Sequence, residues 1–204
     1  MSKVIRKGVV EMITNEPSRQ ELAAVAIRGL AERLREAVRQ QPSKMTLQLA
    51  REFGVPEVEV IRSFPADRIT ELDVSRWEDL IRTLEGAGRV RVLVSNGAAT
   101  MEAVGRFGGF STTGDFFNVQ TASLDLHIRW AELKAAFAVE KPGHVDGQMT
   151  HSIQFFDGMG NAAFKVFLSF GELILPECHR VFRELQKKFC VDFGGGDKQL
   201  PKGA

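Results

Sequence analysis

Tyrosine is absent from this 204-residue chain, and cysteine occurs only twice, as Cys178 and Cys190. The two cysteines form no CxxC pair, and in a reducing compartment they are thiols rather than a disulfide. An excess of charge of one sign is also lacking. Lys and Arg number 27 against 26 Asp and Glu, a formal net charge of +1. A general nucleic-acid or membrane-surface binder needs a basic excess, so only a local patch is left open. Long hydrophobic runs are missing too. The start "MSKVIRKGVVEMITNEPSRQ" holds no apolar core of a signal peptide, and no later stretch is long enough to span a bilayer. A cytoplasmic protein without a membrane partner is expected. No GxSxG occurs, and the one glycine run, "GGGDK", follows no strand. Cys178 and His179 are adjacent on a helical pattern, where neighbours point in different directions, so nucleophilic catalysis has little support.

What is present is a globular composition: 44% hydrophobic, 26% charged and 15 Phe. A chain of this length builds a compact core easily. Up to about residue 88 the pattern is helical. "SRQELAAVAIRGLAERLREAVRQQ" repeats apolar residues at a 3.6 period through Leu22, Val25, Leu30, Leu34 and Val38. Ser18 with Glu21 is a capping-box signature, and Pro42 lies past the end. "TLQLAREFGVPEVEVIRSF" reads as two short helices broken at Gly54, with Pro56 starting the second. "DVSRWEDLIRTLEGAG" is a further helical unit closed by Gly86 and Gly88.

The second half reads as strands. A hairpin is expected around Asn96-Gly97, and another around the loop from Asp157 to Asn161. "DFFNVQTASLDLHIRW" and "LKAAFAVEK" lie between them, the latter ended by Pro142-Gly143. "LPECHRVFRELQKKF" is a closing helix with Val181, Phe182, Leu185 and Phe189 on one face. The expected fold class is α+β: N-terminal helices, a large antiparallel sheet of hairpins and a C-terminal helix. Residues 1–17 are expected to be a loose arm, 18–193 one domain with a helical subregion at 18–88, and 194–204 a disordered tail.

Three patterns point to chemistry. Residues 45–64 have the spacing of a DNA-binding helix-turn-helix, and a DNA-associated regulator is one alternative. Its second helix opens with Glu57 and Glu59, however, and carboxylates repel phosphate. His144, Asp146 and His151 are metal-ligand types, but in a glycine-flanked loop they read more simply as solvent-exposed. In "TASLDLHIRW", Leu124, Leu126, Ile128 and Trp130 face one way and Asp125, His127 and Arg129 the other. That polar side is either a solvated strand face or the lining of a cleft in which an imidazole binds a metal.

"HSIQFFDGMGNAAFKVFLS", "MTLQLAREFGVPEVEVIRSFP", "WEDLIRTLEGAGRVRVLV", "FFNVQ" and "AFAVEKP" together resemble the HutX/ChuX family of haem-utilisation carriers, relatives of HemS-type proteins, over roughly residues 44 to 190. The resemblance implies a HemS/ChuX-like fold, haem as ligand and a homodimer standing for the two halves of HemS. It implies haem donor or acceptor proteins as further partners. A family ligand histidine in a Gly-His-Ile segment matches His127, with Leu126 replacing the glycine. A second family histidine falls at Ser95, a poor iron ligand, so the second axial position is altered. Arg129 and Lys141, on neighbouring strand segments, are candidate propionate partners, and Phe116, Phe117 and Phe137 candidate ring contacts. No cysteine completes a CxxCH before His179, and no tyrosine exists to hold iron, so the haem would be b-type and non-covalent. Haem uptake, storage or transfer without catalysis is the leading expectation. HemS-type haem degradation and a family member that has lost haem are the others.

Overall fold

The computed structural model describes residues 18–144, 147–169 and 174–191. The expected arm at 1–17 and tail at 194–204 lie outside the described residues, as do Asp146 and the side chain of Glu21. Helix α1, Arg19–Gln40, starts directly after Ser18. Among the described side chains, its apolar stripe is buried at Leu34, Ala37 and Val38, while Val25 is 64% exposed. Helices α2, Thr46–Phe53, and α3, Glu57–Arg62, are separated by Gly54, whose φ of 65° lets it close α2 in the left-handed region. Leu49, Ala50, Val60 and Phe64 bury the α1 stripe in one small cluster.

Strand β1, Ile69–Leu72, falls inside the stretch expected to be helical. Four residues give too short a window for periodicity to register, and the strand is held by pairing with residues far along the chain. Helix α4, Trp77–Thr83, continues as a tight turn to Gly88. Strands β2, Arg89–Ser95, and β3, Thr100–Arg106, form the hairpin expected at Asn96-Gly97. The Asn96 side chain closes that turn by accepting from the backbone N–H groups of Ala98 and Ala99. Then follow β4, Phe110–Thr113; β5, Phe116–Gln120; β6, Asp125–Arg129; β7, Ala135–Pro142; β8, Met149–Phe156; and β9, Ala162–Phe167. Helix α5, Pro176–Phe189, ends the described chain.

The antiparallel strands divide into a six-stranded sheet, β1-β7-β8-β9-β2-β3, and a three-stranded sheet, β4-β5-β6. The main core lies where α4, α5 and the inner face of the small sheet meet one face of the large sheet. Leu80, Phe117, Ile128, Phe155, Val166 and Phe182 are among its fully or nearly buried members. The opposite face of the large sheet takes α3: Val58 and Ile61 pack on Phe137, Val139 and Phe156. Phe117 and Phe137 are therefore core residues, 0% and 1% exposed.

Burial decides two of the sequence patterns. In α3, Glu57, Val58, Val60 and Ile61 are all buried, and Arg62 is paired with Glu59 and Glu71. The second helix of the helix-turn-helix pattern is thus a six-residue packing element that turns most of its side chains into the protein. His151 is not an exposed loop residue. It sits in β8, 8% exposed, with its ring 5.1 Å from that of Phe182 on α5. Burial pushes its pKa below the usual imidazole value, with Glu140 opposing the shift.

Candidate functional site

The small sheet presents its outer face as the alternation requires. Ile128 is buried and Leu126 half-buried, while Asp125, His127 and Arg129 are exposed. Residues 116, 118 and 120 of β5 lie on that same face, opposite 129, 127 and 125. His127 is 53% exposed at its side chain, and its Nδ1 is 2.7 Å from Oδ1 of Asn118, its cross-strand partner. Asn118 itself is buried, and its Nδ2 donates to Ser111 Oγ and Thr113 Oγ1. The Phe116 ring stands edge-on to the imidazole at 6.4 Å, with the Arg129 guanidinium 5.2 Å from its centroid. Nε2 faces outward, 3.4 Å from Asp125 Oδ1. The face therefore offers one imidazole nitrogen, one aromatic ring and one cation. Gly109 anchors β4 against β5: its φ is +63°, and a Cβ there would lie 1.9 Å from the Gln120 carbonyl oxygen.

A second feature is a cleft of about 510 Å³ on the large sheet, beside the start of α2. Ser95 and Lys141 line it, together with Leu93, Phe167 and His144. At its base Lys165 Nζ meets Glu57 Oε1 at 2.5 Å, and Thr46 Oγ1 donates to the same oxygen. The Lys165 side chain is 10% exposed and that of Glu57 3%. Lys141 donates to the carbonyls of Ser43 and Pro142. Burial, and then the charge of Lys165, lower its pKa to about 8. Gln154 is 2% exposed, and its Oε1 has no hydrogen-bond partner among the described residues. The hydroxyl of Ser95 is engaged with Ala99 O, Gly97 N and Thr100 Oγ1, all within its own hairpin.

The fold thus brings Ser95 and Lys141 into one cleft, and His127 and Arg129 onto another face. No residue of the small sheet lines the cleft. Arg129 and Lys141 are not on adjacent strands: β6 belongs to the small sheet and β7 to the large one. His144 lines the cleft while His151 turns onto α5, so those two do not share a metal. No group of three or more His, Cys, Asp or Glu suited to an ion occurs among the described residues. Asn118, Gln154 and Lys165 escaped the sequence reading. Each is a lone polar residue within a phenylalanine-containing strand, "FFNVQ", "SIQFF" or "AFKVF". Such a residue needs a partner when buried, and that was the available signal.

Comparison with known proteins bears on both places. The model of the haem utilisation ChuX/HutX family matches residues 70–185. The intracellular heme transport protein HutX of Vibrio cholerae is 21% identical over 164 residues, covering 78% of this chain and 84% of HutX. A solved structure of the heme-binding protein ChuX superposes with a TM-score of 0.67 at 23% identity, over 76% of this chain and 97% of ChuX. The heme-degrading enzyme ChuS of Escherichia coli O157:H7 superposes with a TM-score of 0.68 at 21% identity, over 86% of this chain and 51% of ChuS. The likeness to these two structures is one of fold, and the chain spans about half of ChuS. Helices α1 to α3 precede the family match, which runs from β1 into α5 and takes in His127, Asn118, Ser95 and Lys141. That match exceeds half the sequence, and the chain belongs to the ChuX/HutX family of haem-utilisation proteins.

Proposed function

We propose that this protein is a cytoplasmic carrier that binds b-type haem non-covalently as cargo and hands it to an acceptor, without degrading it. The observation that carries the reading is the His127 ring, held at one nitrogen by Asn118, with its side chain 53% exposed and the other nitrogen 3.4 Å from Asp125. A bare metal ion wants three or four protein ligands. Iron already held by four macrocycle nitrogens needs only one or two more. His127 is the proposed iron ligand, with Arg129 on the same face as the partner of a propionate and Phe116 as an apolar plane. An exposed imidazole suits a carrier, because release then requires no opening of a closed pocket.

Ser95 and Lys141 act, in this reading, from the cleft: Lys141 toward a propionate and Ser95 on the second axial side. They lie apart from His127 within one chain, so joining them to it takes a second copy. A homodimer is the proposed assembly, supported by the chain's spanning about half of ChuS. The cleft is also a second candidate seat for the whole macrocycle, favoured by its volume of about 510 Å³ and the unpartnered Gln154 Oε1.

Titrating the purified chain with haemin while recording the Soret band tests this. A saturable red-shifted band is expected, lost or strongly weakened in His127→Ala. No band in the wild type sinks the carrier. A band lost in Lys141→Ala but kept in His127→Ala moves the seat to the cleft. Adding reductant and oxygen to the loaded protein should leave the absorbance stable; its decay to an open-chain pigment would identify a degrading protein.

A further inference from the structure

The polar groups around His127 form a chain whose direction is set by a carboxylate. Asp125 Oδ1 can only accept, and it takes a hydrogen bond from Gln120 Nε2 at 3.2 Å. Gln120 Oε1 is then left to accept, from Ser111 Oγ at 3.3 Å. With its one proton so placed, the Ser111 oxygen accepts from Asn118 Nδ2 at 3.1 Å. Thr113 Oγ1 takes the other amide hydrogen of Asn118 at 3.3 Å. Asn118 Oδ1 is thereby turned toward His127, 2.7 Å from Nδ1. A flipped Asn118 amide would set its oxygen against the Ser111 oxygen and draw the Ser111 proton away from Gln120. The buried position of Asn118, 3% exposed, gives it no water to make up the loss.

We propose that this network, with Asn118 at its centre, holds neutral His127 in the Nδ1–H tautomer and so directs the Nε2 lone pair outward as the donor atom. In water a free histidine side chain favours the opposite tautomer, with the proton on Nε2. The protein therefore makes a choice here that the residue alone does not. The hydrogen bond at one ring nitrogen decides what the other can do, and outer partners of this kind set ligand strength. Asp125, 3.4 Å from Nε2, favours a proton on that nitrogen, and the Asn118 contact that opposes it is the shorter one, at 2.7 Å. Asn118 is a positioning residue: it acts through His127 and touches no ligand. The use of the exposed lone pair rests on the iron-ligand reading above, but the tautomer does not.

The test needs no haem. In the full-length ¹⁵N-labelled chain at about pH 8, above the ordinary imidazole range, two-bond ¹H–¹⁵N correlations report the protonated nitrogen. His127→Gln assigns the signal. Nδ1 protonation is expected in the wild type and in Asn118→Asp, which keeps an acceptor. Asn118→Ala is expected to pass to the Nε2–H form. An Nε2–H wild type, or an unchanged tautomer in Asn118→Ala, overturns the proposal. Should Asn118→Ala not fold, the double variant Ser111→Ala with Thr113→Val removes both acceptors of the Asn118 amide from an exposed strand, and an unchanged tautomer there is equally fatal. Haemin affinity is expected to fall at least about tenfold in Asn118→Ala and to be kept in Asn118→Asp. If the tautomer shifts as expected but His127→Ala binds haemin like the wild type, the positioning role stands and the iron-ligand reading fails.

Discussion

Lys141 shows how far one side chain's chemistry depends on what is packed around it. Burial, reinforced by the nearby charge of Lys165, lowers its pKa from 10.5 to about 8. Between those values the unfolded chain holds a proton there that the folded chain has shed. The cost of burying Lys141 is therefore constant below about pH 8 and is progressively relieved as pH rises from 8 toward 10.5. Compared with Lys141→Gln, the wild type should gain relative stability between pH 7.5 and 10. Denaturant midpoints at the two pH values check this, and a constant difference would contradict it. A propionate seated at Lys141 would hold the proton on and remove the trend in the loaded protein.

At the scale of elements, one glycine couples the helical hairpin to the sheet. Gly160 closes the β8–β9 turn with a φ of +79°, and a Cβ there would lie 2.7 Å from Val58 Cγ1 and 2.8 Å from Pro56 Cβ. Its carbonyl accepts from Val58 N at 3.0 Å. Gly160→Ala meets both the left-handed backbone and the start of α3, so a loss of roughly 2 kcal/mol is expected in urea unfolding. Because α3 carries Glu57, the buried partner of Lys165, the same variant should also disturb the cleft. Gly54→Ala offers the control: its φ is +65°, but nothing lies within 4 Å of its would-be Cβ, so only the backbone part of the cost remains.

For the whole molecule, the separation of the His127 face from the cleft makes assembly the decisive variable. A stable mass of twice the 22.6 kDa chain is expected in sedimentation equilibrium at micromolar concentration. A monomer under those conditions would confine any bound haem to one face of one chain. In a dimer whose sites draw on both protomers, equimolar mixing of His127→Ala with Lys141→Ala chains should restore haemin binding in the fraction of heterodimers holding an intact site. Sites built within one chain would show no such restoration.

Much of this protein was legible as sequence because the relevant physics is local. The 3.6 period marked α1 and α5, Gly54 and Pro56 marked the break between α2 and α3, and Asn96-Gly97 marked the β2–β3 turn. The period of two in "LDLHIRW" set Asp125, His127 and Arg129 together on one polar side, and the structure turns that side outward. Partners distant in sequence were decided only by the tertiary structure. The split into two sheets separated Arg129 from Lys141, and β1 was made a strand by pairing with β7. Glu57, exposed by the logic of a recognition helix, became the buried partner of Lys165, 108 residues away. His127 was named by its own strand. The state of its ring was left to Asn118, on the strand beside it, because hydrogen-bond direction passes through space rather than along the chain.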